Sequence, residues 1–310
     1  MKEKACQAIL KEVQKAIIGK EDCIELVLCA FLAGGHVLIE DVPGVGKTTM
    51  AKAFARAMDL TSTRVQFTPD VLPTDLTGFY LYDQRGEEAP FHKGAVFCNL
   101  LLADEINRTS PKTQSALLEV MEEGRVTVDG VTWELEQPFF VLATQNPAGS
   151  IGTALLPESQ MDRFMIQVQM GYPSKEEEIR ILMSKQGGNP PLPEPVLRKE
   201  EFLRLQQETG NIYVHKLIYD YIVRLIEQTR EHPMISLGCS PRASVALVKM
   251  AQARAFLDGR DYVVPDDVAQ VFPAVAGHRI LLNAKARMNQ VTASAVVAEI
   301  CSQVKKPKES

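Results

Sequence analysis

The stretch that most constrains the fold of this chain is residues 37–49, in which an apolar run leads into a turn ending in Gly-Lys-Thr. The run predicts a buried strand and the apolar spacing of residues 50–58 predicts a helix, so the turn joins a strand to a helix start. Such a turn suits polyphosphate, because glycine lets backbone N–H groups approach the charge and a helix N-terminus favours an anion. The predicted phosphate-binding residues are Pro43, Gly44, Val45, Gly46, Lys47, Thr48 and Thr49.

Two side chains of this turn are expected to touch phosphate and metal. Lys47 is predicted to reach the β- and γ-phosphates, and Thr48 to offer its hydroxyl to Mg²⁺. The turn departs from the full pattern G-x-x-x-x-G-K-[ST], because Asp41 stands where the first glycine belongs. An ordinary glycine-rich turn between a strand and a helix is therefore an alternative interpretation. Carboxylates farther along the chain favour the phosphate loop.

Those carboxylates follow a second buried strand. Residues 100–103 are continuously apolar and end in Asp104 and Glu105. Phosphoryl transfer asks a protein for a metal carboxylate and for a group that activates or orients water. Asp104 is predicted to hold Mg²⁺ through water, and Glu105 to activate the attacking water. A solvated turn after a strand would explain the pair if it stood alone.

The order of the elements predicts an α/β fold with a five-stranded parallel, doubly wound sheet between helices. Ligands of such sheets bind beyond the carboxyl ends of the strands, where Asn146 is also expected to lie. The strands are predicted at the start of 37–49 and at residues 62–67, 100–103, 139–143 and 165–170. The helices are predicted at residues 3–16, 21–33, 50–58, 111–123, 175–184, 201–208, 215–230, 241–257 and 265–275.

This pattern divides the chain into two predicted domains, a nucleotide-binding core at residues 1–171 and an all-α lid at 172–310. Glycine and proline punctuate residues 69–98, which we expect to form an insertion of two short strands or a strand and a loop. Residues 125–135 alternate around an Asp-Gly pair and predict a hairpin.

The composition is that of a globular protein without a membrane segment. Apolar residues make up 45% of the 310, and the net charge is −5, which disfavours binding nucleic acid by charge alone. No apolar run approaches the length of a membrane span and the first residues do not resemble a signal peptide, so we expect a cytoplasmic protein. Six cysteines without metal-ligand spacing are expected to be reduced thiols.

These motifs resemble those of the AAA+ ATPases, and within them the MoxR branch. Residues 41–48 look like the Walker A loop, residues 100–105 like Walker B, and Asn146 like sensor 1. Residues 259–268 and 277–279 are similar to lid signatures of the same branch, so the resemblance covers nearly the whole chain. It implies a P-loop AAA+ core followed by the helical lid.

The resemblance also implies roles for two arginines. Residues 156–164 are similar to the segment that carries the arginine finger of this branch, at Arg163, and the Ser-Pro-Arg-Ala run containing Arg242 resembles sensor 2. A cation at the start of a helix is poorly placed for that helix's own dipole, which suggests that Arg242 meets an anion such as the γ-phosphate. Arg163 as a surface residue is the alternative, and Arg108 could serve a subunit contact.

The family resemblance further implies a homo-oligomeric ring, commonly hexameric, that binds ATP and Mg²⁺ between neighbouring subunits. Ile17 and Ile18 occupy the place where the family packs the adenine, although two isoleucines before a glycine also suit a hydrophobic staple.

The function expected from these observations is an ATP-hydrolysing motor that remodels or matures a protein client, with a von Willebrand factor A domain protein as the suggested partner. The alternatives are a nucleic-acid motor, a slow nucleotide switch and a magnesium-chelatase-like ATPase subunit. A nucleic-acid motor predicts basic residues at the hairpin tip, where residues 127–132 carry none. A nucleotide switch predicts the loss of Glu105 or Arg163, and both are present.

Overall fold

A computed structural model describes residues 2–42, 44–81, 90–146, 156–186 and 193–307. Its strands are β1 (Val37–Glu40), β2 (Ser62–Gln66), β3 (Leu100–Asp104), β4 (Arg125–Val128), β5 (Val131–Glu134), β6 (Phe140–Gln145), β7 (Ile166–Val168), β8 (Ile235–Leu237) and β9 (Leu281–Leu282). Its helices are α1 (Lys2–Ala16), α2 (Glu21–Leu32), α3 (Lys47–Ala57), α4 (Pro73–Thr77), α5 (Pro111–Glu123), α6 (Glu158–Met161), α7 (Lys175–Gln186), α8 (Lys199–Gly210), α9 (Lys216–Glu231), α10 (Pro241–Leu257), α11 (Pro265–Ala276), α12 (Ala284–Met288) and α13 (Ala293–Gln303).

In the part of the chain that the structure describes, five parallel strands form one sheet in the order β2-β3-β6-β1-β7. The predicted five-stranded parallel sheet is therefore confirmed. Strands β3 and β6 are buried along their whole length, as continuous apolar runs require when both faces of a sheet are covered. Edge strand β2 alternates between exposed and half-buried residues instead.

Alternate residues of the strands build two hydrophobic clusters, one on each face of the sheet. Val37 and Leu100 belong to a cluster that also contains residues of α1 to α3 and of α8 to α11. Leu38 and Leu101 belong to a second cluster, which includes the apolar side of α5. Side chains of adjacent strand residues point to opposite faces, so this split follows directly from the strand period.

The C-terminal part of the chain differs from the prediction that it would contain helices alone. Strands β8 and β9 pair as a small antiparallel sheet, and helices α12 and α13 were not predicted. Strands of three and two residues are too short to show an alternating pattern. Helix α12 is one turn long and depends on a local cap, in which the Asn283 side chain accepts from the backbone N–H of Ala286 at 3.0 Å.

The insertion was also predicted only in part. Its described portion contains the short helix α4 and an antiparallel bridge between Phe79 and His92, rather than two short strands. Residues 82–89 lie outside the described part. The hairpin is confirmed, since β4 and β5 pair around Asp129 and Gly130, whose φ angles of 50° and 80° suit a tight two-residue turn.

A buried arginine ties the C-terminal helices to the sheet. Arg279 is 8% exposed, and its Nε donates to Asp162 Oδ1 at 2.8 Å. Its Nη2 and Nη1 donate to the carbonyl oxygens of Phe164 and Met165 at 2.6 and 3.0 Å. These contacts fix the segment immediately before β7 against the end of α11.

His36 predicts an acid-sensitive stability. Its Nδ1 accepts from the backbone N–H of Val141 at 3.0 Å, so the neutral ring carries its proton on Nε2 and donates to the Met121 carbonyl at 3.0 Å. Burial lowers the pKa of His36 from 6.5 to about 4, and burial also lowers the pKa of His278. Between pH 6.5 and about pH 4, His36 binds a proton in the unfolded chain but not in the folded one. The stability of the fold therefore falls as the pH falls through this interval.

We therefore expect the free energy of unfolding in urea to be lower at pH 5 than at pH 7. The His36→Gln protein, whose side chain cannot titrate, should lose less stability over the same interval. An identical loss in both proteins would contradict the assignment to His36.

Candidate functional site

The phosphate loop has the predicted position between a strand and a helix. Strand β1 ends at Glu40, and α3 begins at Lys47 with Gly46 as its N-cap. The φ angles of Gly44 and Gly46 are 90° and 101°, a region that residues with a Cβ rarely adopt. Predicted loop residue Pro43 lies outside the described part of the chain.

Lys47 is held at the base of this loop. It is 8% exposed, and its Nζ donates to the Asp41 carbonyl at 2.9 Å. Burial lowers the pKa of Lys47, and the nearby carboxylates of Asp104, Asp41 and Glu105 oppose that shift. The ammonium group is thus surrounded by negative charge and held close to the loop backbone.

Asp104 is the last residue of the inner strand β3, and both of its carboxylate oxygens accept hydrogen bonds. Its Oδ1 accepts from the Thr144 hydroxyl at 2.6 Å, and its Oδ2 accepts from Arg64 Nη2 at 2.8 Å. The Thr144 oxygen in turn accepts from the backbone N–H of Glu105 at 2.9 Å. Neighbouring strands β2 and β6 therefore orient the carboxylate that β3 supplies.

Glu105 points differently from Asp104, because its backbone turns into the left-handed region with φ 58°. Its Oε1 accepts from Asn146 Nδ2 at 3.3 Å, and its Oε2 accepts from Gln66 Nε2 at 2.9 Å. Arg108 also pairs with Glu105, at 3.2 Å and within the same chain. The Asn146 Oδ1 atom is buried and has no hydrogen-bond partner among the described residues, so it is an acceptor left over beside Glu105.

The structure brings together the predicted residues of two motifs in one cleft of about 360 Å³. Its lining contains Gly44, Gly46, Lys47, Thr48, Thr49, Arg64, Gln66, Asp104 and Glu105. Sequence reasoning missed Arg64, Gln66 and Thr144. Arg64 and Gln66 are two residues apart on β2 and so lie on one face, but their role depends on β2 lying beside β3.

A second pocket of about 240 Å³ adjoins the loop and shares Gly44 and Gly46 with the phosphate cleft. Ile17 and Ile18 line it together with Gly171, which directly precedes the predicted lid. The lining combines aliphatic side chains with two lysines and two hydroxyl groups, and its aliphatic part suits the flat face of a ring such as adenine.

Arg163 and Arg242 lie together near the amino ends of the parallel strands. Both donate to Glu122, from Arg163 Nε at 2.9 Å and from Arg242 Nη2 at 2.6 Å. They line a pocket of about 230 Å³ with His36, which directly precedes β1, and Met165, which directly precedes β7. The phosphate loop follows the carboxyl end of β1, so the two arginines and the loop flank opposite ends of the parallel strands.

The cleft residues fit a magnesium ion that is shared with a nucleotide. Mg²⁺ is usually held by one or two protein oxygens, by phosphate oxygens and by water, rather than by a closed protein cage. The described residues form no cluster of three or more His, Cys, Asp or Glu side chains suited to a metal. Thr48 and Asp104 line the same cleft, and the existing contacts of Asp104 suit an indirect bond through water.

Comparisons with known proteins give the family of this chain. Residues 36–166 match the model of the ATPase family associated with various cellular activities (AAA), and residues 227–300 match the AAA lid domain. The chain is 50% identical over 299 residues to the uncharacterized protein YeaC of Bacillus subtilis, covering 96% of this chain and 93% of the relative. It is 42% identical over 305 residues to the chaperone MoxR1 of Mycobacterium tuberculosis, covering 96% and 81%.

A solved structure shows the same fold over the whole chain. The protein in that structure comes from Cytophaga hutchinsonii and is assigned as an ATPase. It is 36% identical to the present chain and superimposes with a TM-score of 0.91, covering 99% of the present chain and 96% of its own. The fold and the site thus define an AAA+ ATPase. Within that class, the chain belongs to the MoxR family. None of the described helices is both long enough and apolar enough to cross a bilayer.

Proposed function

We propose that this chain is an Mg²⁺-dependent ATPase that works in a homo-oligomeric ring, a hexamer in the cytoplasm, and remodels or matures a protein client. The observation that carries the proposal is that the predicted site residues form two groups, which lie at opposite ends of the parallel strands. Lys47 and Glu105 line the cleft at the carboxyl ends of the strands, whereas Arg163 and Arg242 line a pocket at the amino ends. Such groups are complementary between two copies of the chain.

At the carboxyl edge, the proposed roles follow from charge and reach. Lys47 binds the β- and γ-phosphates, and Thr48 and Asp104 hold Mg²⁺, which neutralises charge on the phosphates when it is bound. Glu105 takes a proton from the attacking water. Asn146, whose Nδ2 donates to Glu105 at 3.3 Å, holds that carboxylate in position for the water.

At the amino edge, Arg163 and Arg242 are proposed to bind the γ-phosphate held by the neighbouring subunit. Each arginine already pairs with a carboxylate oxygen of Glu122, so both guanidinium groups are arranged around a single anion. Arginine also forms paired hydrogen bonds with phosphate. Ile17 and Ile18 are proposed to pack the adenine beside the phosphate loop.

The client is proposed to be a protein, with a von Willebrand factor A domain partner as the first candidate. The relative MoxR1 is named a chaperone. The insertion and the hairpin pack on each other through Phe91 and Trp133, whose rings stack with centroids 4.7 Å apart. This joint surface is the one proposed to meet the client.

The hairpin predicts that DNA does not stimulate the ATPase. Its basic residue, Arg125, pairs with Glu123 at 2.9 Å, and the outer strand carries Glu134, so the surface repels phosphates. Phosphate release should be unchanged by single- or double-stranded DNA at moderate salt and should change when the protein partner is added. A several-fold stimulation by DNA that weakens as salt rises would favour the nucleic-acid motor instead.

A further inference from the structure

Asp41, the residue that replaces the first glycine of the loop pattern, makes three hydrogen bonds that a glycine could not make. Its carboxylate is buried, with the residue 7% exposed. Oδ1 accepts from the backbone N–H of Val42 at 2.8 Å. Oδ2 accepts from the backbone N–H groups of Met170 and Gly171, both at 2.7 Å.

The backbone at this position does not need a glycine. Asp41 is absent from the described residues with positive φ, whereas Gly44 and Gly46 of the same loop have φ angles of 90° and 101°. The first glycine of the pattern is therefore replaced by a side chain that is used for contacts across the molecule. A charged acceptor with short bonds to two successive amides forms a strong link in a buried setting.

The far end of this link is the segment that leads from β7 into the first C-terminal helix. Met170 and Gly171 lie between the end of β7 at Val168 and the start of α7 at Lys175. Gly171 also lines the pocket that contains Ile17 and Ile18 beside the phosphate loop. The position of these two amides therefore bears on both the proposed adenine pocket and the direction in which the lid begins.

The near end of the link is the phosphate-binding lysine. Lys47 Nζ donates to the backbone carbonyl of Asp41 at 2.9 Å, so Asp41 contacts Lys47 with its carbonyl and the lid junction with its carboxylate. A polyphosphate is a stronger acceptor for an ammonium group than a neutral carbonyl. Phosphate binding would therefore draw Lys47 away from Asp41.

We propose that Asp41 is a positioning residue that transmits phosphate binding at Lys47 to the junction at residues 170–171, and through it to the lid. The proposal rests on the proposed function in one respect, which is that this loop binds ATP. Once Lys47 leaves the Asp41 carbonyl, the backbone of Asp41 shifts. The Asp41 carboxylate shifts with the backbone, and the amides of Met170 and Gly171, which are bonded to that carboxylate, move as well.

The first test is hydrogen exchange on the wild-type protein with and without Mg²⁺ and the non-hydrolysable analogue AMP-PNP, whose binding is measured in parallel by calorimetry. The amides of Met170 and Gly171 should be protected without nucleotide, and their exchange rates should change when AMP-PNP binds, together with those of α7. If AMP-PNP binds and these rates stay the same, the link is wrong while the nucleotide site stands. If AMP-PNP does not bind, the proposed function fails and the link fails with it.

Two variants test the carboxylate itself. Asp41→Asn replaces the charged acceptor of the two amide N–H groups by a neutral amide group, and Asp41→Gly removes the side chain and restores the full loop pattern. We expect exchange at residues 170 and 171 to become about tenfold faster or more, since a hydrogen bond to a charged group is lost. AMP-PNP should still bind, but the response of α7 should disappear, and kcat should fall with little change in KM.

Glu40→Gln is the matched control, because it removes a carboxylate from the adjacent residue, which contacts the Gln167 side chain instead of the junction. It should exchange and turn over like the wild type. Asp41→Gly behaving like the wild type in exchange and in kcat would show that aspartate is only tolerated there, and would overturn the proposal. If neither Asp41 variant folds, the wild-type exchange experiment still decides.

Discussion

Glu105→Gln should bind ATP and fail to hydrolyse it, whereas Lys47→Ala should lose ATP binding altogether. Lys47 brings the ammonium group into the phosphate cleft, and it is already buried there, so alanine removes the main charge that phosphate would meet. Glutamine keeps the size of Glu105 and an oxygen for the Asn146 amide, but it cannot accept a proton from water. The two variants therefore separate binding from chemistry.

Equilibrium binding of ATP and phosphate release, measured on both variants, would check this prediction. Glu119→Gln, which changes an exposed glutamate of α5, is the control and should turn over like the wild type. Substantial turnover by Glu105→Gln would sink its assignment as the residue that activates water. Normal ATP binding by Lys47→Ala would remove the phosphate loop from the site.

Arg163→Ala should bind ATP almost normally and hydrolyse it at a rate lower by ~10³ or more, the usual effect of an arginine finger. Arg163 lies away from the phosphate loop of its own chain, beside His36 and Met165. Its ion pair with Glu122 is partly exposed, so its loss should cost little stability. The defect should therefore lie in catalysis between subunits.

Mixing Arg163→Ala with Lys47→Ala tests this directly. In mixed rings one subunit supplies an intact cleft and its neighbour an intact arginine, so some activity should return. Arg125→Ala is the matched control, because it breaks an exposed pair with Glu123 at the same 2.9 Å distance and should keep full activity. If rings shown by mass to be mixed have no activity, Arg163 does not act on the neighbouring site.

Features that depend on near neighbours in the chain could be predicted from the sequence. The phosphate loop needs its glycines, its lysine and the helix start within a few residues. Helix α5 likewise begins where Ser110 caps it and ends at Gly124, whose φ is 65°. The central strands were recognisable because burial on both faces leaves a continuous apolar run, as in β3 and β6.

Features that depend on the order of strands were not predictable in the same way. Arg64 and Gln66 reach Asp104 and Glu105 because β2 pairs with β3, and Thr144 reaches Asp104 because β6 lies on the other side. A single sequence does not state which strands become neighbours. The short β8 and β9 pair was missed for a related reason, since strands of two or three residues form only where the rest of the fold brings them together.

By itself the sequence determined the class of this protein and predicted which residues form its phosphate loop and which carboxylate lies beside it, because those motifs are local. Tertiary structure decided which groups the other charged side chains contact. Arg163 and Arg242 meet on Glu122 through contacts spanning 41 and 120 residues. Asp41 is a departure from the loop pattern in the sequence. In the structure its carboxylate accepts from the backbone N–H groups of Met170 and Gly171, which lie 129 and 130 positions farther along the chain. Packing across the sheet sets such distances, and no local pattern records it.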